Sequence, residues 1–488
     1  MTLEPPVFLL GWERDGLAGA AGKLVDVLSS GGRKGASQGR TGRESLDIMS
    51  ATTDHIFPIT TSTTEEILDR AGEVLSGRSL GYFTLPPDVD MVIREGHGSH
   101  ITDVEGRDFI DYVLGSGPML VGHAHPEVLA AVEAQIKLGT TFYFLNEPAI
   151  RLSERLVEAI ACAEEVRYTS TGTEATYLAL RCARAHTGRS KILKFEGAWH
   201  GMHDYALWGT VPAVASDYPR AGADSLGIPA VLGGEVLVAP FNDAELAVKI
   251  IEEHAGELAA VMIEPLQRVL KPEPGFLEAI REVTERLGIV LIFDEVVTGF
   301  RIAWGGAQEL YGVVPDMATY GKAMAGGFPL AAIVGKHEIM EAFGNASRPP
   351  DTIAWASGTF SGNPIGSVAG LAALDILEAP GLYDQLHRIG SRLRAGLVES
   401  GRRHGLPAQT PGEDAVFGLR FMENDNPTTW IDLQEHDREL GNRWAMECVR
   451  RGVLVVPNEK FYISVAHTEE DVDRTLEICD AAFAACAS

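Results

Sequence analysis

AAVMIEPLQRVLKPEPGFLEAIREVTERLGIVLIFDEV, residues 259–296, contains the pattern that decides the fold. Two apolar runs, "AAVMIEP" and "IVLIFDEV", flank the amphipathic stretch "GFLEAIREVTERLG". A strand that is apolar on both faces belongs inside a sheet covered on both sides, and an amphipathic helix between two such strands is the usual crossover of a parallel sheet. The same unit occurs upstream, where "EVRYTS" (165–170) precedes the helical "TEATYLALRCARAHTG" (173–188).

Before this region the pattern differs. Residues 1–60 hold "SSGGRKGASQGRTGRES", small, polar and basic, which reads as a flexible linker. In "STTEEILDRAGEVLSG", Thr63 and Glu66 have the spacing of a capping box and open a helix. "SHITDVEGRDFIDYV" alternates about "VEGR" and predicts a hairpin. Beyond about residue 375 come helix, the mixed strands "VFGLRF" and "FYISVA", and a capped helix in "HTEEDVDRTLEICDAAF". The expected division is an extension and linker (1–60), the first part of a small domain (61–126), a large domain (127–374) and the rest of the small domain (375–488).

The chain has 488 residues, 45% hydrophobic and 22% charged, which suits two packed domains of a globular protein. No apolar run approaches the roughly 18 residues of a membrane span. "MTLEPPVFLL" carries an acid where a signal peptide needs a base, and the five scattered cysteines suggest no disulfide framework, so a cytoplasmic location is expected. A net charge of −27 argues against nucleic acid as a partner.

Four places hold candidate chemistry. Thr171-Gly172-Thr173 opens a helix after a strand, where free N–H groups, hydroxyls and a glycine suit a phosphate; a plain N-cap has the same sequence. Asp294 ends the run "IVLIF", where ligands of α/β sheets gather, and is suited to holding a proton on a ring nitrogen or simply to capping a loop. Lys322, after "PDMATYG", is either a solvated lysine or a desolvated amine able to form a Schiff base. In "FEGAWHGMHD", Trp199 either stacks on a flat ring or fills the core; His200 and His203 have helical spacing, but the glycines argue against a metal site. Together the four describe a site for pyridoxal 5′-phosphate.

These segments, with "GTFSGNP" and "SVAHTEEDVD", resemble in order the class III aminotransferases of fold type I, most closely the glutamate-1-semialdehyde 2,1-aminomutase branch, from about residue 65 onward. The resemblance implies an α/β protein with a large, mostly parallel seven-stranded sheet and a small α+β domain built from both chain ends. It implies that Lys322 carries the cofactor and Asp294 faces its ring nitrogen. Thr171, Gly172, Thr173, Trp199, Glu264, Val296 and Thr359 complete the cofactor site, with Val296 under the ring and Trp199 over it. Thr359 would serve the neighbouring subunit of a homodimer. Departures bear on substrate. Thr84 stands near the position of the aminomutases' carboxylate-binding arginine, with Arg78 close by, and Ser116 replaces a tryptophan. Arg268 replaces a common glycine and suits a donor carboxylate or, equally, a surface or dimer contact; Glu459 stands in place of the family's glutamate in a shortened stretch, and no gating loop is evident. The aromatic run Phe142–Phe144 suits either a pocket mouth or the core. On these departures the expected activity is a ping-pong transaminase moving an amino group from an amino donor to a ketone or aldehyde. The alternative is an isomerase, an aminomutase or amino-acid epimerase. No metal and no membrane partner are expected.

Overall fold

The computed structural model describes residues 62–81, 85–345 and 347–487. The extension 1–60 and Thr84 therefore lie outside the described residues. The two apolar runs of 259–296 become the parallel strands Leu258–Ile263 and Val290–Asp294, joined through the helix Phe276–Leu287. They are central in a seven-stranded sheet. Its spatial order is Glu165–Thr169, Ala331–Gly335, Met317–Tyr320, Val290–Asp294, Leu258–Ile263, Lys191–Phe195 and Val236–Ala239. Ala331–Gly335 runs antiparallel to both its neighbours, and the other pairings are parallel.

Each strand serves two cores, because successive side chains point to opposite faces. Val261, Ile263, Leu291 and Phe293 face the helix Phe276–Leu287, whose Phe276, Ile280 and Val283 are buried with them. Ala260, Met262, Val290 and Ile292 face the other way and pack with Ala175, Ala179, Leu180 and Ala183 of the helix Gly172–Thr187. Each fully buried aliphatic side chain contributes about 1.5–3 kcal/mol, so the two layers hold the sheet far more firmly than any cap.

The caps set where helices begin. Thr171 Oγ1 accepts from Glu174 N and the Glu174 carboxylate accepts from Thr171 N, which starts the helix directly after the strand Glu165–Thr169. Gly188, at φ +69°, ends it in the left-handed conformation that favours glycine. The box read at Thr63 and Glu66 is present and opens the helix Thr64–Val74.

The second sheet draws on both chain ends. The hairpin forms as read, with His100–Asp103 antiparallel to Asp108–Asp111. Ile93–His97 extends it on one side, and Val453–Leu454 joins the other edge in parallel. In a separate three-stranded sheet, "VFGLRF" supplies Val416–Gly418 and "FYISVA" the last two residues of Lys460–Tyr462, which pair antiparallel. The expected division at 374 falls within the helix Pro364–Leu377. Phe142, Tyr143 and Phe144 belong to no core: Phe144 is 82% exposed and Leu145 beside it 91%. Among the described residues, no single helix is long and apolar enough to cross a membrane.

Candidate active site

The candidate residues gather at the carboxyl ends of the parallel strands. Asp294 is the last residue of its strand, Glu264 directly follows Ile263, Trp199 follows Lys191–Phe195, and Lys322 follows Met317–Tyr320. Gly172 opens the helix after Glu165–Thr169. In open α/β sheets this edge is where ligands bind, because helix N-termini and loop backbones converge there.

Asp294 is buried and held from three sides. His200 Nδ1 lies 2.8 Å from Oδ2, while Thr319 Oγ1 and Val296 N donate to Oδ1 at 3.1 and 3.2 Å. The carboxylate therefore cannot swing away from the strand end. His200 is itself buried, and His203 lies against Tyr177, where burial lowers its pKa to about 3.

The loop bearing Trp199 and His200 is anchored by Lys194, a lysine inside the sheet. Its Nζ donates to Ala198 O at 3.1 Å, Ala206 O at 2.6 Å and Thr210 Oγ1 at 2.7 Å, and burial brings its pKa down to about 7. Trp199 N donates to the buried Glu264 Oε2 at 2.8 Å. With 40% of its surface exposed, the Trp199 ring is no core residue.

Lys322 sits at φ +46°, in the left-handed region, which costs a non-glycine residue about 1–2 kcal/mol. Such strain is characteristic of residues held in place for function. Burial pushes its amine below the ordinary lysine pKa, and among the described residues no carboxylate lies within ion-pair distance. Val296 joins it to the helix turn: a Cβ on Gly172 would meet Val296 Cγ1 at 3.1 Å, and one on Gly321 would meet the same methyl at 3.5 Å.

The hydroxyl of Thr171 is committed to the helix cap. Facing outward are the first-turn N–H groups of Gly172 and Thr173, which have no carbonyl partner inside the helix. Thr173 Oγ1 accepts from Met202 N at 3.2 Å. Gly201 makes that approach possible: at φ +94° its added Cβ would lie 2.6 Å from Thr173 Oγ1. Gly201→Ala should therefore cost about 1–3 kcal/mol, combining left-handed strain with overpacking, and a thermal melt would register it as a lower midpoint.

Two residues that act on the Lys322 charge, Tyr462 and Lys460, carry no motif. Tyr462 is buried under Arg301, whose Cζ lies 5.0 Å from its ring centroid. Burial raises the Tyr462 phenol, but the ammonium groups of Lys460 and Lys322 and the Arg301 guanidinium outweigh this and leave its pKa below the ordinary value. Arg301 donates to Ile463 O and Gly117 O. The nearby Ser116 is exposed in a left-handed turn, φ +68°, and Gly117 faces the Tyr462 ring. Glu459 is exposed; Arg420 Nη1 approaches its carbonyl at 3.4 Å. Arg78 donates to Leu68 O and lies 3.7 Å from the Asp69 carboxylate. Thr359 is exposed beside Phe360.

A family model, aminotransferase class III, matches residues 85–482. The chain belongs to the class III aminotransferases. The glutamate-1-semialdehyde 2,1-aminomutase of Methanothermobacter thermautotrophicus is 40% identical over 423 residues, covering 85% of this chain and 97% of that protein. Among solved structures, an omega-transaminase from Sphaerobacter thermophilus is 33% identical with a TM-score of 0.83, covering 88% of this chain and 98% of that one. A transaminase with PLP bound is 27% identical, with a TM-score of 0.78 and coverage of 87% and 99%. As a class III aminotransferase of fold type I, the protein is an enzyme dependent on pyridoxal phosphate.

Proposed function

We propose that this class III aminotransferase shifts an amino group between adjacent carbons of one small amino aldehyde that also bears a carboxylate. The observation that carries this reading is the 40% identity, over nearly the whole length of the relative, to a glutamate-1-semialdehyde 2,1-aminomutase. This favours the isomerase over the two-substrate transaminase suggested by Thr84, Ser116 and the other departures. The transaminase is the second reading, supported by the likeness to the omega-transaminase and by the small Ser116 side chain.

The site suits pyridoxal phosphate. Gly172 and Thr173 offer first-turn N–H groups to a phosphate. Val296 forms an apolar floor beside Gly172 and Gly321, and Asp294 is buried where a ring nitrogen needs an anion. When bound, the cofactor supplies an aldehyde for the substrate amine and a ring that takes up electron density.

The side chains supply the rest. Lys322, its basicity reduced by burial, is the attachment point and the base that carries a proton between the carbons on either side of the substrate nitrogen. Asp294, fixed by His200, Thr319 and the Val296 N–H, keeps the ring nitrogen protonated. Trp199 covers the ring and excludes water, held by Glu264. Thr359 reaches the phosphate site of a second copy. The exposed Phe142–Leu145 run and the Trp355–Phe360 loop, linked by Tyr143 Oη and Ser357 Oγ at 3.1 Å, form the apolar face for that contact.

The cofactor-loaded protein should be given glutamate 1-semialdehyde alone and the products followed by mass spectrometry. Accumulation of the isomer with nitrogen on carbon 1, at unchanged mass, is expected. Product formation only after a second carbonyl compound is added, with nitrogen appearing on that compound, would establish the transaminase instead.

A further inference from the structure

The guanidinium of Arg268 lies within cation–π distance of two indoles, its Cζ 5.4 Å from the Trp199 ring centroid and 5.6 Å from that of Trp430. Its Nε donates to Gly197 O at 2.8 Å, two residues before Trp199. No carboxylate lies within ion-pair distance of it among the described residues. Arg268 is itself held in a left-handed conformation, φ +58°, by the tight Gln267–Leu270 bridge, whose backbone bonds measure 3.0 and 2.7 Å. Gln267 Nε2 also donates to Glu196 O at 2.8 Å.

Trp430 completes the assembly from the C-terminal part of the chain. It opens the short helix Trp430–Gln434, capped by Thr429, and its Nε1–H donates to Pro212 O at 2.9 Å. Gly197 is pressed against it: a Cβ there would lie 2.6 Å from the indole. Glu264 secures only the backbone N–H of Trp199, so the tilt of its half-exposed ring depends on what stacks against it.

We propose that Arg268 is a positioning residue that sets the plane of Trp199 above the cofactor site and couples that plane to Trp430. Arg268 is within cation–π distance of both Trp430 and Trp199, and Trp199 would in turn cover the ring of a bound cofactor. A planar, delocalised cation suits this position because it can engage both indoles at once, whereas a lysine ammonium cannot. Through Trp430, the covering wall answers to movement of the C-terminal segment that carries it. This inference rests on Trp199 covering a bound cofactor and adds which residue aims it.

The test uses the cofactor-loaded protein with Arg268→Lys, Trp199→Leu and the double substitution. The readouts are the cofactor's visible circular dichroism, indole-to-cofactor energy transfer and the rate of cofactor release. Arg268→Lys should reproduce most of the spectral change of Trp199→Leu and speed release by about 3- to 10-fold. The double variant should behave like Trp199→Leu alone, because both substitutions remove one interaction. Trp430→Leu should shift the same spectral signals in the same direction. Unchanged spectra and release with only a lower melting temperature would overturn the inference, as would additive effects in the double variant. A parent protein that acquires no visible band with pyridoxal phosphate would remove the cofactor reading and the inference with it.

Discussion

Lys322→Ala is expected to lower turnover by on the order of 10⁴-fold or more, since the proposed mechanism makes one side chain both the nucleophile that holds the cofactor and the base that moves the proton. The visible band arising from its covalent link to the cofactor should vanish, although cofactor can still be retained without that link. Stability should change little. Alanine also carries a Cβ, so the strain of φ +46° remains, while removing a desolvated amine without an ion-pair partner eliminates an unfavourable burial. Absorption spectra, single-turnover rates and a thermal melt on one preparation separate these effects. Turnover within about tenfold of the parent would remove Lys322 from the mechanism, given that a positioned base alone contributes about 10²–10⁴-fold.

The next largest effect is expected at Asp294. Asn keeps the volume and part of the hydrogen bonding but removes the anion that His200, Thr319 and the Val296 N–H hold in place. A neutral amide stabilises a protonated ring nitrogen poorly, so the rate should fall by about 10²–10³-fold, typical of losing one preorganised electrostatic contact. Cofactor occupancy should persist, because the helix turn at Gly172 and Lys322 are unchanged. Measuring kcat against occupancy, counted by absorbance after alkaline release, separates the cases. A proportional loss of both would make Asp294 a binding residue; a lost rate at full occupancy would make it the electronic partner of the ring.

Much of the fold is legible in the sequence, for a physical reason. Strands covered on both faces must be apolar throughout, and the helices between them must be amphipathic, so 165–188 and 259–296 disclose the large sheet. The reversed direction of Ala331–Gly335 is not legible, because a buried strand has the same composition whichever way it runs. Asp294 and Lys322 are legible because each stands where an apolar strand stops. Their surroundings are less so: His200 meets Asp294 from another strand's loop, and Tyr462 and Lys460 come near enough to act on the Lys322 charge through tertiary folding without a local motif. Arg268, read as a chain, suggests a carboxylate partner because it carries charge. The indole of Trp430, 5.6 Å from its guanidinium carbon, lies far along the sequence and becomes visible only once both are placed.

The parallel pairing of Val453–Leu454 with Asp108–Asp111 has a consequence for how the protein is made. At about 5–20 residues per second, Asp111 is synthesised roughly 20–70 s before its partner strand. Throughout that interval the hairpin shows an unpaired edge, able to capture another nascent chain. A ribosome that stalls after the large sheet's last strand but before Val453 would therefore leave a polypeptide with those strands complete and an adhesive seam still open.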